Sequence, residues 1–222
     1  MVSDHNLEPD AATVSRETSA AQVAATRWPA QFEQLQKYHT WLIGAGVERG
    51  LVGPREVPRM WDRHINNSAV IEEAVPHGAS VIDVGSGAGL PGLPLAIIRA
   101  DVTVTLLEPL ARRVDFLQEV VDDLGLNDRV KVIRGRAEDV RHLKAQVVTS
   151  RAVAALPKLL TWSWPLVAEG GQILAMKGEQ ATAEIEAGVN YLRKRHLKAE
   201  VITVGAGVVE PLTRLVRVSR TN

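Results

Sequence analysis

The chain of 222 residues contains no cysteine. Disulfides, cysteine zinc sites and a thiolate nucleophile are thereby excluded, and the composition suits a reducing cytoplasm. The six histidines stand singly, with no pair at helical ligand spacing, so no metal site is expected. Long hydrophobic runs are also missing. The longest, Leu90 to Ile98, is broken by Pro91, Gly92 and Pro94 and is far too short to cross a bilayer. The first ten residues are polar and acidic, which leaves no readable secretory signal. Formal net charge is zero, so bulk charge points to no partner.

The charge that is present is uneven. Within residues 1–25, Asp4, Glu8, Asp10 and Glu17 stand against Arg16 alone, so the remainder of the chain is net basic. Basic residues gather at Arg49/Arg55/Arg59/Arg63, at Arg112/Arg113, at Arg134/Arg136 and at Arg193/Lys194/Arg195/Lys198. Such clusters could hold a polyanion, but taken alone they read first as solvated faces. The length fits one domain plus an extension. Residues 1–19 are rich in Ser, Thr, Ala and acids and read as a mobile tail. Residues 20–78 read as a helical extension: Phe32, Leu35, Tyr38 and Leu42 recur at helical spacing before Gly44, and a second helical stretch covers about residues 66–74.

Residues 79–222 change character. Short β-branched runs at 80–84, 102–108, 129–134, 146–150, 172–176, 200–204 and 214–218 alternate with helical patterns at 94–99, 110–124, 157–167 and 181–195. That alternation predicts a doubly wound, mostly parallel seven-stranded sheet covered on both faces. The last two strands have no helix between them, which predicts an antiparallel edge hairpin. No internal repeat or low-complexity segment is present.

The informative stretch is Val81-Ile-Asp83-Val-Gly85-Ser-Gly87-Ala-Gly89-Leu90-Pro-Gly92. A buried strand enters a glycine-rich turn, where the backbone needs positive φ or close approach to a ligand. In an open α/β sheet this place lies in the ligand crevice at the strand carboxyl ends. The next strand ends in Glu108, an acid able to accept both hydroxyls of an adenosine ribose. Gly87-x-Gly89-x-x-Gly92 matches the dinucleotide pattern, so an NAD-dependent reductase is one alternative. However, the loop begins at Gly85, and Asp83 stands just before it. Acid-x-Gly-x-Gly-x-Gly resembles the first motif of class I S-adenosylmethionine (SAM)-dependent methyltransferases, with their Rossmann-like fold. After the third strand, Arg136-Ala137-Glu138 falls where such enzymes meet the adenine.

The acceptor is narrowed by what is missing. Methylation at carbon 5 of a pyrimidine needs a cysteine, and exocyclic amino methyltransferases carry Asn/Asp-Pro-Pro-aromatic where this chain has Thr149-Ser-Arg151-Ala-Val153. A nitrogen with a free lone pair, such as N7 of guanine, needs only alignment with the methyl sulfonium. Trp61-Asp-Arg-His64, the glycine loop, Arg136-Ala-Glu138, Ser150-Arg-Ala152 and Met176-Lys-Gly178 occur in this order. Together they resemble the GidB/RsmG family of bacterial small-subunit ribosomal RNA guanine-N7 methyltransferases, over roughly residues 28–218.

That resemblance implies SAM as cofactor, held by Gly85, Leu90, Ala137, Glu138 and Arg151; the loop and the strand-end acid add Asp83, Gly87, Gly89 and Glu108 to the expected site. It implies a guanine of the 530 loop of 16S rRNA as target, with loss of the protein linked to low-level streptomycin resistance. Arg151 and Lys177 are the candidate substrate-side residues, and no general base is expected. Where the family carries Arg-His-x-x-Asp-Ser, this chain has Arg63-His64-Ile-Asn-Asn67-Ser68, and His64 is expected to cap or pack the extension. N7 faces the narrow major groove of A-form RNA, so the target must be unstacked or flipped; Trp41, Trp61, Trp162 and Trp164 are candidate stacking partners. A cytoplasmic monomer working on the small ribosomal subunit is expected, without metal or membrane. A SAM-fold protein that binds RNA without turnover is the other alternative.

Overall fold

The computed structural model describes residues 11–221. The sequence predicts β1 at 80–84, and the strand runs over Ser80–Val84. The others are β2 Thr103–Glu108, β3 Val130–Arg134, β4 Ala145–Arg151, β5 Val167–Lys177, β6 Leu197–Val204 and β7 Thr213–Arg220. Among the described residues they form one seven-stranded sheet in the order β3-β2-β1-β4-β5-β7-β6. β1 to β5 pair in parallel, and β7 runs antiparallel to both β5 and β6. The edge hairpin expected from the missing helix is present. Strand order reverses between β1 and β4, so their carboxyl ends open the crevice where α/β sheets bind ligands.

Side chains alternate across β1. Val81 enters the apolar cluster beneath the N-terminal helices, while Ile82 and Val84 enter the opposite cluster with Leu156, Leu160 and Val216. This is the period of a strand covered on both faces. The helices are α1 Ala11–Arg27, α2 Phe32–Ile43, α3 Ala45–Glu48, α4 Asn67–Ala69, α5 Gly92–Ile98, α6 Ala111–Asp123, α7 Leu156–Ser163, α8 Ala181–Ala187 and α9 Val189–Lys194. The helix predicted over 181–195 is thus two helices meeting at Gly188. That predicted over 157–167 stops earlier, because β5 starts at Val167.

Two departures concern the extension. The tail boundary placed after residue 19 falls inside α1, and residues 1–10 lie outside the described residues. α1 is not idle: the Glu17 carboxylate accepts the backbone N–H of Trp61 and, at 3.3 Å, that of Asp62. These amides open a π-helical turn, Met60–Asn66, whose first N–H groups have no partner within the helix. Burial pushes the Glu17 carboxyl above its ordinary range. The second departure is that irregular helix fills 54–74, not a regular one over 66–74. Pro54 and Pro58 interrupt the ladder there.

Candidate active site: two cavities on one wall

The glycine loop leaves β1 and turns across its carboxyl end. Gly85 has φ +70°, and a Cβ there would lie 2.9 Å from Cγ2 of Val153. Only glycine satisfies both conditions. The amides of Gly85 and Ser86 return to the Leu107 carbonyl at 2.8 and 3.2 Å, which ties the loop to β2. Glu108, at the end of β2, is buried. Its carboxylate accepts the N–H of Gly87 at 2.9 Å and that of Leu110 at 3.1 Å.

Above these residues lies a cavity of about 570 Å³, lined by Gly85, Ser86, Gly87, Leu90, Glu108 and Leu110 among others. That size is ordinary for a small-molecule site. A buried carboxylate on its floor suits a diol. Leu90 and Leu110 supply apolar surface for a flat ring, and Arg151 closes the far side. The donor set therefore fits SAM. It fits a dinucleotide poorly. The Gly87 amide already faces a carboxylate, and the amide of Gly92 that opens α5 is bonded to Asp83.

Four of the expected cofactor residues are placed elsewhere. Asp83 is fully buried and does not line the cavity. Its Oδ2 accepts the Gly92 amide at 3.0 Å while Oδ1 has no partner. Burial, opposed by the Gly92 and Ser86 hydrogen bonds, raises its pKa to about 7. It acts as a brace beneath the loop, because a strand-end side chain pointing inward meets the helix start before it meets solvent. Gly89 packs under the loop, where a Cβ would collide with Leu93. Ala137 is buried in the cluster with Leu107 and Val140, and neither it nor Glu138 lines the cavity. The turn after β3 folds inward there: the amide of Asp139 bonds the Arg136 carbonyl at 3.0 Å.

A second cavity, of about 910 Å³, opens beside the first. Arg59, Arg63, Lys177 and Arg214 bring positive charge to its lining, and Asp62, Glu179 and Glu210 lie among them. Both candidate substrate-side residues line it. Lys177 is engaged rather than solvated: its Nζ donates to the Ala154 carbonyl at 2.6 Å and lies 2.7 Å from Glu184. Asn67, in place of the family's Asp, accepts the Thr213 hydroxyl at 2.6 Å, which joins the extension to β7.

Four residues, His64, Arg151, Ala152 and Val153, line both cavities. Arg151 donates to the Arg63 carbonyl and to Ser68 Oγ, each at 3.3 Å, and bonds Nδ1 of His64. The other ring nitrogen of His64 lies 2.7 Å from Glu56 Oε2. Expected only to cap or pack, His64 is a component of the shared wall. The sequence carries no signal for Glu56, and it reads Tyr38 only as an apolar helix position. Tyr38 is buried and donates its hydroxyl to the Ala88 carbonyl at 2.9 Å, fixing the loop from beneath. Its apolar periodicity marked it as core, and nothing in that pattern signals the hydroxyl's partner.

None of the candidate stacking tryptophans lines either cavity. Trp61 is buried between Phe32 and His39, with ring centroids 5.6 and 5.2 Å away. Trp41 donates to Asp123 at 2.8 Å, and Lys158 lies over Trp162. The basic cluster Arg193/Lys194/Arg195/Lys198 is also remote. Leu197 pairs with Arg220, whereas Val204 pairs with Thr213 at the cavity. Seven strand residues, at ~3.3 Å each, put that cluster roughly 20 Å from the cavity, at the other end of the sheet. Among the described residues there is no group of His, Asp and Glu arranged for a metal ion, and no helix long and apolar enough to cross a membrane.

The fold is shared with solved structures. The M. jannaschii TYW2 protein, crystallised with AdoMet, aligns with a TM-score of 0.54 at 23% identity, over 71% of this chain and 74% of that one. A ribosomal protein L11 methylase from Lactobacillus delbrueckii aligns with a TM-score of 0.53 at 15% identity, over 71% and 78%. In sequence, the ribosomal RNA small subunit methyltransferase G of Thermobifida fusca is 57% identical over 188 residues, covering 84% of this chain and 79% of its own. Its counterpart in Mycobacterium marinum is 51% identical over 187 residues, covering 82% and 81%. The family model described as "rRNA small subunit methyltransferase G", GidB, matches residues 31–210. The chain belongs to the GidB family of small-subunit rRNA methyltransferases.

Proposed function

We propose that the protein is a SAM-dependent 16S rRNA methyltransferase that methylates N7 of a guanine in the 530 loop. The observation that carries this reading is the pairing of two cavities on one wall, the first built for a small nucleoside-like ligand and the second lined with arginines. SAM supplies an electrophilic methyl group on sulfur. Glu108 binds the ribose hydroxyls, the Gly85–Gly87 backbone and Leu90 hold the adenosine, and Arg151 faces the carboxylate as a forked donor. Arg59, Arg63 and Arg214 receive RNA phosphates. A flipped guanine enters the larger cavity and presents N7 toward the shared wall. N7 loses no proton, so these residues orient and exclude water rather than act as a base; positioning of that kind contributes up to ~7–11 kcal/mol.

The test is methylation of 16S rRNA or 30S particles by the purified protein with labelled SAM, followed by mapping of N7-methylguanine. A modified guanine in the 530 loop is expected, and 7-deazaguanosine at that position abolishes transfer while RNA binding persists. Single-turnover rates stay nearly flat across about pH 6.5–8.5, because no group has to ionise. Release of S-adenosylhomocysteine distinguishes turnover from RNA binding alone. A product carrying methyl on another atom overturns the assignment. By this reading the protein works as a cytoplasmic monomer, and its loss confers low-level streptomycin resistance; sedimentation and a deletion strain test these two points.

A further inference from the structure

The wall between the cavities contains a side-chain chain, Glu56–His64–Arg151, with a direction fixed by chemistry. A guanidinium has donors only and stays protonated. The His64 Nδ1 that meets Arg151 is therefore an acceptor and carries no proton. The proton of the neutral ring sits on Nε2 and is donated to Glu56 Oε2 at 2.7 Å. One hydrogen bond sets the tautomer that the other requires. We infer that His64 is a positioning residue: as the neutral Nε2–H imidazole it holds the Arg151 guanidinium on the wall shared by both cavities, and a second proton releases it.

The surroundings set when release occurs. Burial lowers the His64 pKa, with Arg151 and Arg63 lowering it further, while Glu56 opposes them. Glu56 is itself held below its ordinary range by the His64 hydrogen bond. On the same stretch of chain Arg63 and Arg59 act on Glu56, and Glu17 of α1 accepts the Asp62 amide. Asp83 of β1 and Glu56 favour the charged Arg151, while burial of Tyr38 holds its hydroxyl neutral. The ring is thus neutral at physiological pH and takes its second proton only on the acid side. A protonated Nδ1 then points an N–H at a guanidinium N–H, and the two cations repel.

This inference rests on the methyltransferase reading and adds a residue that acts on SAM through Arg151. Calorimetric SAM titration at about pH 7.5 and pH 5.5 tests it. Wild-type affinity is expected to fall at the lower pH by less than tenfold, because a ring whose pKa is lowered from its ordinary value is only partly protonated there. In an Asp83→Asn background, which removes the other group that titrates in this interval, His64→Ala and Arg151→Ala are expected to be equally weak at both pH values, and the double variant no weaker than Arg151→Ala. Glu108→Ala, on the opposite side of the cavity, weakens SAM yet keeps the pH dependence. Independently of any ligand, ¹⁵N shifts of the His64 ring at pH 7.5 are expected to report the Nε2–H tautomer. An Nδ1–H ring, a pH-independent wild-type affinity, or additive losses in the double variant overturns the inference. Wild-type protein that binds no SAM instead sinks the methyltransferase reading, and the ring shifts still decide His64.

Discussion

The smaller cavity is built around a tight glycine loop and the larger is lined by long charged side chains. Around the first, a single stretch from Gly85 to Arg113 provides the loop, the floor carboxylate and much of the apolar surface. Around the second, the charges come from distant segments: Arg59 and Arg63 before the sheet, Lys177 at the end of β5, Arg214 at the start of β7. A site built on such a loop has one admissible geometry, so a single Cβ destroys it. A site made of long charged side chains degrades by degrees, since each contributes a separable share of attraction. The two cavities should therefore respond differently to substitution, and that contrast can be tested.

The largest effect is expected for Gly85→Val. Its Cβ would lie 2.9 Å from Val153 at a φ of +70°, so SAM binding should disappear from calorimetry while RNA binding in a gel-shift assay survives. Loss of both would show that the cavities do not behave as separate sites. Next comes the brace under the loop. The folded-state pKa of Asp83 is about 7, above the ordinary value near 4 for an exposed carboxyl. The folded state thus binds the extra proton in that window, and stability falls as pH rises from about 4 to 7 by as much as a few kcal/mol. Asp83→Asn keeps an acceptor for the Gly92 amide and removes the ionisation. Its stability advantage over wild type in urea unfolding should grow across that window and level off above it; a constant difference would refute the assignment.

A graded loss is expected from the basic residues. Replacing Arg59, Arg63 and Arg214 by Gln should reduce the slope of log affinity against log salt by roughly 0.7–0.9 for each phosphate left without its arginine, with SAM affinity unchanged. The same treatment of Arg193, Lys194 and Arg195 should leave the slope nearly intact. Equal slopes for the two triple variants would mean that RNA wraps the far end of the sheet as well. Smallest is Glu108→Ala, which removes the ribose acceptor and should weaken SAM by about 1–3 kcal/mol in titration. Unchanged affinity would displace Glu108 from the ribose.

The same contrast explains what is legible in the amino-acid sequence alone. Strands, their alternation with helices and the edge hairpin follow from local periodicity, and the glycine loop is legible because its geometry demands glycine at Gly85. Asp83 is legible as part of a motif but not as a brace, since a motif reports association and not which way a side chain points. The clustering of Arg193 to Lys198 in sequence suggests a gripping surface, yet strand direction carries it to the far end. Arg59, Arg63 and Arg214 converge only through tertiary structure. Glu56 has no period or motif at all; it matters because an irregular turn brings it against His64.

The reversed final strand has a consequence for the newborn chain. The bond between Gly87 and Glu108 spans 21 positions, whereas that between Thr213 and Asn67 spans 146. β6 leaves the ribosome before the strand that must separate it from β5, and finds no neighbour until β7 slides between them. Every residue around the smaller cavity has by then been synthesised, while Thr213 and Arg214 of the larger one come after β6. Contacts closed across so long a loop form late. The larger cavity is therefore complete only once β7 has paired with β5, whereas the smaller one needs no residue of that strand.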